Sequence, residues 1–185
     1  MIIASRHLRI IWLLSAGLAL ASCEAPPLTE AVLQNATYPS DSTDDGFVTL
    51  TDGRFEGPNQ HLTVQLVDPI SFGDLDGDGH ADAVVTLATN TGGSGVFVKF
   101  VTVQNKRGRP GQIRGMALGD RVRVNDVRID DGVIVLDITT HAEGDAMCCP
   151  TLEIEKRYAI TGGALRELLP NENDASDGVP DTPSG

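Results

Sequence analysis

The chain has 185 residues, of which 26 are acidic and 14 are basic, so its formal net charge is −12 at pH 7. A surface this acidic disfavours nucleic acid and anionic lipid headgroups as partners, and it suits a divalent cation. The length is enough for one domain with one hydrophobic core once both polar ends of the chain are set aside.

The first 22 residues have the pattern of a secretory signal. Arg6 and Arg9 form a basic start, and an apolar run of 11 residues follows from Ile10 to Leu20. As a helix this run would be about 16 Å long, whereas the hydrocarbon core of a bilayer is about 30 Å thick. Residues 1–22 are therefore predicted to be a removable signal and not a membrane span.

The segment that follows, LASC from Leu20 to Cys23, resembles the lipobox of bacterial lipoproteins. The resemblance implies that Cys23 is diacylated on its sulfur, becomes the mature N-terminus and is acylated again. Several acyl chains anchor a protein stably, whereas one chain does not. The predicted location is extracytoplasmic and lipid-anchored. Glu24 follows Cys23 where an Asp would favour inner-membrane retention, so the outer membrane is favoured.

Both polar ends of the mature chain are predicted to lie outside the folded domain. Residues 23–46 are rich in Pro, Ser, Thr and Asp and are predicted to form a tether, with a short helical turn around Leu28–Gln34. Residues 170–185 carry acidic side chains, no basic ones and almost no apolar bulk, which predicts a disordered acidic tail. The folded domain is thus expected over residues 47–169.

Short alternating runs predict that this domain is mainly β. In TLEIEKRYAI the apolar residues Leu152, Ile154, Tyr158 and Ile160 share one face, and no helical period competes. Asp52-Gly53, Asp131-Gly132 and Gly162-Gly163 separate such runs and are typical of hairpin turns. We expect an antiparallel meander of about eight to ten strands. The pattern leaves a curved sheet, a partial barrel and a sandwich open.

The segment GDLDGDGHADAVV predicts a metal-binding loop that enters a core strand. Asp74, Asp76, Asp78 and Asp82 occupy positions 1, 3, 5 and 9, and Gly79 occupies position 6. Such alternation aims carboxylates at one point, and the main-chain carbonyl of His80 would be the ligand at position 7. The alternative is an acidic turn that binds nothing, although these carboxylates would then repel one another.

The loop departs from the EF-hand pattern and resembles another one. Position 12 is Val85 in place of the bidentate Glu, and an apolar strand replaces the exit helix. The loop is similar to calcium loops of the FG-GAP and VCBS type, in which the aspartates lead directly into a strand. The resemblance implies one bound Ca²⁺ ion; Mg²⁺ fits less well because it requires a rigid octahedral shell. Residues 35–169 also resemble a family of bacterial envelope lipoproteins, which implies the fold unit and the location but no activity.

Cys148 and Cys149 are adjacent, and Pro150 follows them. A disulfide usually joins Cα atoms about 4.4–6.8 Å apart, whereas neighbours across a trans peptide lie about 3.8 Å apart. A vicinal disulfide, two buried thiols, and a soft-metal site helped by His141 and Met147 all remain open. The oxidising compartment favours the disulfide.

Two classes of function follow from these features. The first is a non-enzymatic, calcium-stabilised module that binds an envelope protein or a glycan, or has a structural role, near the membrane. The second is an envelope hydrolase or a thiol or metal redox protein that uses Asp and His residues or the Cys148–Cys149 pair. His61, His80 and His141 have no metal-ligand spacing, and Ser94 lacks the Gly that a nucleophile elbow needs at residue 96. We therefore favour the first class.

Overall fold

The computed structural model describes residues 26–58 and 61–169, and this part of the chain is mainly antiparallel β-sheet. The predicted signal peptide, Cys23, Glu24 and the predicted tail from residue 170 lie outside the described residues. Within the described ranges, no helix combines the length and the apolar composition needed to cross a membrane.

One short helix and a small hairpin begin the described chain. Helix α1 (Glu30–Leu33) is capped by Thr29, whose Oγ1 accepts a hydrogen bond of 3.3 Å from the main-chain N–H of Val32. The hairpin pairs β1 (Thr37–Pro39) with β2 (Phe47–Thr49). The helical turn expected near residues 28–34 is therefore present.

Two larger sheets follow in chain order. The five-stranded sheet contains β3 (Arg54–Glu56), β4 (Thr63–Gly73), β5 (Asp82–Asn90), β6 (Phe97–Asn105) and β7 (Pro110–Asp120), in that order. The four-stranded sheet contains β8 (Arg123–Asp130), β9 (Val133–Thr140), β10 (Leu152–Thr161) and β11 (Ala164–Leu168). Consecutive strands are neighbours in both sheets, so the predicted antiparallel meander is confirmed. The described residues form 11 strands in all, slightly more than expected, and these strands do not close into a barrel.

The three predicted two-residue turns are present: Asp52-Gly53 connects the bridge partners Thr51 and Arg54, and the other two connect paired strands. Asp131 and Gly132 link β8 to β9 with φ angles of 48° and 77°. Both residues need the left-handed region, which matches the right-handed twist of the strands that they connect.

The five-stranded sheet is covered on both faces. Because side chains alternate along a strand, Val85 and Leu87 of β5 pack into a first core, whereas Val84 packs into a second. The second core also holds residues of the four-stranded sheet, and the rings of Phe100 and Tyr158 lie 4.7 Å apart across it. The two larger sheets are therefore layered.

The N-terminal segment supplies the cover over the first core, so the folded unit begins before the expected boundary at residue 47. Leu33 and Tyr38 are fully buried there with Val48 and Leu50. The Tyr38 hydroxyl donates a hydrogen bond of 2.8 Å to the carbonyl of Leu33. Apolar residues in this segment are too widely spaced to give a periodic pattern. The outer face of the five-stranded sheet collects them, because otherwise that face would be in water.

Candidate metal centre

The acidic loop connects the end of β4 to the start of β5. Asp74, Asp76 and Asp78 each place one carboxylate oxygen so that all of these atoms lie within 4.8 Å of one another. Gly77 and Gly79 have φ angles of 79° and 82°, which permit the tight winding that turns alternate side chains to the same side. This group of carboxylates could hold a metal ion.

Asp74 organises the loop through main-chain hydrogen bonds. Its Oδ1 accepts from the N–H of Gly77 at 2.7 Å and of Asp76 at 3.2 Å, and its Oδ2 accepts from the N–H of Gly79 at 2.8 Å. These bonds, led by the one from Gly79, lower the pKa of the Asp74 carboxyl. Asp74 is thus held in the charged form that a cation requires.

Asp76 and Asp78 extend the negative charge to the exposed tip of the loop. Oδ1 of Asp78 accepts from the N–H of His80 at 2.8 Å, and Oδ2 of Asp76 accepts from the side-chain amide of Gln104. In residues 26–58 and 61–169, no Lys or Arg forms an ion pair with any carboxylate of this group. No basic side chain in these two ranges balances the negative charge at the tip of the loop.

The spacing of the oxygens is compatible with binding of one metal ion. Two oxygens that both bind Ca²⁺ at about 2.3–2.6 Å lie at most about 5 Å apart. The 4.8 Å limit within the group meets this condition. All of the donors are carboxylates, which are the ligands that hard cations prefer.

Asp82, the predicted ligand at position 9, has a different environment from the other aspartates. Its side chain is 1% exposed, and it is not part of the group that converges at the tip. Its Oδ2 accepts from the N–H of Leu75 at 3.1 Å, and its Oδ1 accepts from the N–H of Asn105 at 2.7 Å. Burial raises the pKa of Asp82, although these two hydrogen bonds partly oppose the shift. Asp82 therefore joins the base of the loop to the end of β6.

The residues that follow Asp82 belong to the core. Val85, at position 12, is fully buried in β5 and cannot contribute a ligand to the loop. The acidic loop therefore leads directly into a central strand, as expected, and it lacks the exit helix of an EF-hand. The predicted ligand at His80 is its main-chain carbonyl, and this half-buried residue lies at the tip beside Asp78.

Gln104 and Asn105 are contacts of this site that the sequence did not reveal. Both lie at the end of β6, and Asn105 also donates a side-chain hydrogen bond of 3.1 Å to the carbonyl of Ala81. They are more than 20 residues away from the loop, so no local spacing connects them to it. Only the pairing of β5 with β6 brings them there.

The paired cysteines lie in a second loop, residues 141–151, which joins β9 to β10. Cys148 and Cys149 are linked as a vicinal disulfide. Met147 is 70% exposed and His141 is only partly buried. In the part of the chain that the structure describes, the only group of three or more His, Cys, Asp or Glu residues with ligand spacing is the one at the acidic loop. The second loop therefore contains no group of three such residues that could bind a soft metal.

A single aspartate closes this second loop. Oδ2 of Asp145 accepts from the N–H of Ala142 at 2.7 Å and of Thr151 at 2.9 Å, and the Thr151 hydroxyl donates to Oδ1 at 2.9 Å. The bond from Ala142 contributes most to a lowered pKa of the Asp145 carboxyl.

The remaining polar residues considered as catalysts are dispersed. His61 is exposed beside Gly92, and the carbonyl of Ser94 accepts a hydrogen bond of 2.5 Å from Arg121. Nε2 of His141 is buried without a hydrogen-bond partner among the described residues. These side chains do not form a nucleophile and base pair in residues 26–58 and 61–169. The chain matches no family model, no curated protein and no solved structure.

Proposed function

We propose that this chain is a lipid-anchored extracytoplasmic protein whose β-domain is a non-enzymatic, calcium-stabilised binding or structural module of the cell envelope. The observation that carries the proposal is the convergence of Asp74, Asp76 and Asp78 at the entrance to the central strand β5. An ion at this position would join the loop to the strand that both cores share.

Calcium is the proposed ion because all of the donors are oxygen atoms. The carboxylates of Asp74, Asp76 and Asp78, the carbonyl of His80 and one oxygen of Asp82 are the proposed ligands, with water completing a shell of six to eight oxygens. A loop of carboxylate and carbonyl oxygens suits the variable geometry of Ca²⁺ better than the strict octahedron of Mg²⁺. When bound, the ion would neutralise the repulsion at the tip.

The metal proposal is tested by titration calorimetry of the full chain in detergent with CaCl₂ and, separately, with MgCl₂. We expect one calcium ion per chain with a dissociation constant of about 10⁻⁴–10⁻³ M, the range of extracellular modules. Asp76→Asn combined with Asp78→Asn should abolish the binding. Asp44→Asn combined with Glu153→Gln is the matched control, because it removes the same charge at exposed positions elsewhere. Equal calcium binding by both double variants would contradict the proposed site.

The anchoring proposal depends on the motif from Leu20 to Cys23, and the membrane is the partner that it implies. Cys23→Ser should leave the protein unlabelled by a palmitate analogue and release it from the membrane fraction or leave its signal uncut, because only a thiol forms the required thioether. Cys148→Ser combined with Cys149→Ser should retain the label. A processed, membrane-bound serine variant in high salt would contradict the lipobox.

The proposed location is the outer membrane, since the residue after the acylated Cys23 is Glu24 and not the Asp that would favour inner-membrane retention. Glu24→Asp should therefore move the protein towards the inner membrane, as measured by density-gradient separation of the two membranes. Cross-linking of the anchored wild type, with and without calcium, tests for the proposed envelope protein or glycan partner. An unchanged distribution of the Glu24→Asp variant between the two membranes would contradict the proposed location. It would not contradict the proposed lipid anchor.

A further inference from the structure

A groove between the two larger sheets lies apart from the acidic loop. Its volume is about 420 Å³, and strands of both sheets contribute to its walls, with Cys148 and Pro150 of the second loop at one side. The apolar part of the lining consists of Val67, Ala88, Val96, Val98, Val122 and Val124. A volume in the range of about 300–1,000 Å³ with mainly apolar walls is typical of small-molecule sites.

One buried hydroxyl in this lining has no hydrogen-bond partner. Thr86 of β5 is 1% exposed and lines the groove, and its Oγ1 is unpartnered among the described residues. Buried side-chain hydroxyls are nearly always hydrogen-bonded, because desolvation without a partner is unfavourable. The hydroxyl of Thr86 is therefore a hydrogen-bonding group that is available to a ligand in the groove.

The charged residues of the lining favour an anion. Arg121, Arg123 and Asp68 all line the groove. The guanidinium of Arg121 is already engaged by the carboxylate of Asp120 and the carbonyl of Ser94. Arg123 is exposed and forms no ion pair with any residue that the structure describes. The guanidinium of Arg123, which lies beside an apolar groove without an ion pair in the described residues, is complementary to a carboxylate.

We infer that the groove binds a small amphipathic carboxylate that carries a second hydrogen-bonding group. The carboxylate pairs with Arg123, the apolar body lies against the valines, and the second polar group bonds to the hydroxyl of Thr86. The site is separate from the acidic loop, so it does not depend on calcium binding.

The test uses the full chain in detergent and three related probes in titration calorimetry. The main probe is p-hydroxyphenylpropionate, which has a carboxylate, an apolar ring and a hydroxyl. Phenylpropionate lacks the hydroxyl, and p-hydroxyphenylpropionamide lacks the charge. We expect the main probe to bind about tenfold more tightly than each of the other two, since each of them leaves one protein group unpaired.

Two variants assign each preference to a residue. Arg123→Gln should remove the preference for carboxylate over amide and keep the preference for the hydroxyl. Arg166→Gln, an exposed arginine on β11 outside the groove, is the matched control and should bind like the wild type. Thr86→Val keeps the side-chain shape and should remove only the preference for the hydroxyl.

The outcomes separate a ligand site from a packing defect. Thr86→Val should melt at or above the wild-type temperature, because it removes an unpartnered buried hydroxyl, and yet it should bind the main probe more weakly. If the three probes bind the wild type equally, or if none binds at millimolar concentration, the inference is wrong. It is also wrong if Arg123→Gln and Arg166→Gln lose affinity to the same extent.

Discussion

The acidic loop and the second loop (residues 141–151, with the disulfide) are held in shape by different interactions. Each connects antiparallel strands, and each winds around an aspartate, Asp74 or Asp145, that accepts main-chain N–H groups. The second loop adds a covalent link and the hydroxyl of Thr151. The acidic loop instead gathers further carboxylates at its tip. One aspartate is enough to close a loop, and the additional carboxylates of the acidic loop form a group that could hold a metal ion.

The largest effect is expected at the buried base of the acidic loop. Asp82→Ala should destabilise the protein by about 2–5 kcal/mol, because the N–H groups of Leu75 and Asn105 each lose a buried acceptor. The measurement is thermal melting in calcium and in excess chelator, with Asp44→Ala as the surface control. The loss should occur in both solutions, which would distinguish the base of the loop from its tip. A loss confined to the calcium solution would show that Asp82 acts only as a ligand.

A smaller effect is expected from removing the ion at the tip. At about 1 mM free calcium and a dissociation constant of about 10⁻⁴–10⁻³ M, binding stabilises the wild type by roughly 0.4–1.4 kcal/mol. This corresponds to a few degrees in the melting temperature. Asp76→Asn combined with Asp78→Asn should melt equally with calcium and with chelator. The same result for the wild type would mean that the tip binds no stabilising ion.

The disulfide should contribute still less, because it closes the smallest ring that a chain allows. Cys148→Ser combined with Cys149→Ser should lower stability by at most about 1 kcal/mol, since the link restricts the unfolded chain very little. When the wild-type protein is denatured without reductant and treated with an alkylating reagent, mass spectrometry should show that neither cysteine of this pair is alkylated. Alkylation of both cysteines would favour two thiols over the disulfide.

The smallest effect is expected at Asp145, and it should be complete at neutral pH and disappear in acid. Its folded-state pKa lies below its ordinary value of 3.8, so the unfolded state binds the proton more tightly. The stabilisation is thus present above about pH 4 and is lost as the pH falls through the lowered pKa. Asp145→Asn should flatten the decline of melting temperature between about pH 5 and pH 2, whereas Asp44→Asn should not. Parallel curves for Asp145→Asn and the wild type would show that the carboxylate does not hold the loop.

Local patterns anticipated much of the fold and the tip of the site. Alternating runs predicted the meander, and Asp-Gly pairs predicted its turns, because strand pairing and positive φ angles depend on neighbouring residues. The spacing of Asp74, Asp76 and Asp78 likewise predicted their convergence. Asp82 shares that spacing, yet its carboxylate is buried and bonds to β6. The sequence spacing of these aspartates does not reveal which of them are buried by other parts of the protein.

The sequence by itself predicted an antiparallel meander, its main turns and the acidic cluster, since each depends on residues that are close in the chain. The tertiary structure decided which faces are covered. It placed Leu33 and Tyr38 of the expected tether over the first core, and it brought Asn105 to the base of the acidic loop. It also left the hydroxyl of Thr86 beside a groove with no hydrogen-bond partner among the described residues. Burial depends on all the surfaces that pack together, and distant segments supply those surfaces.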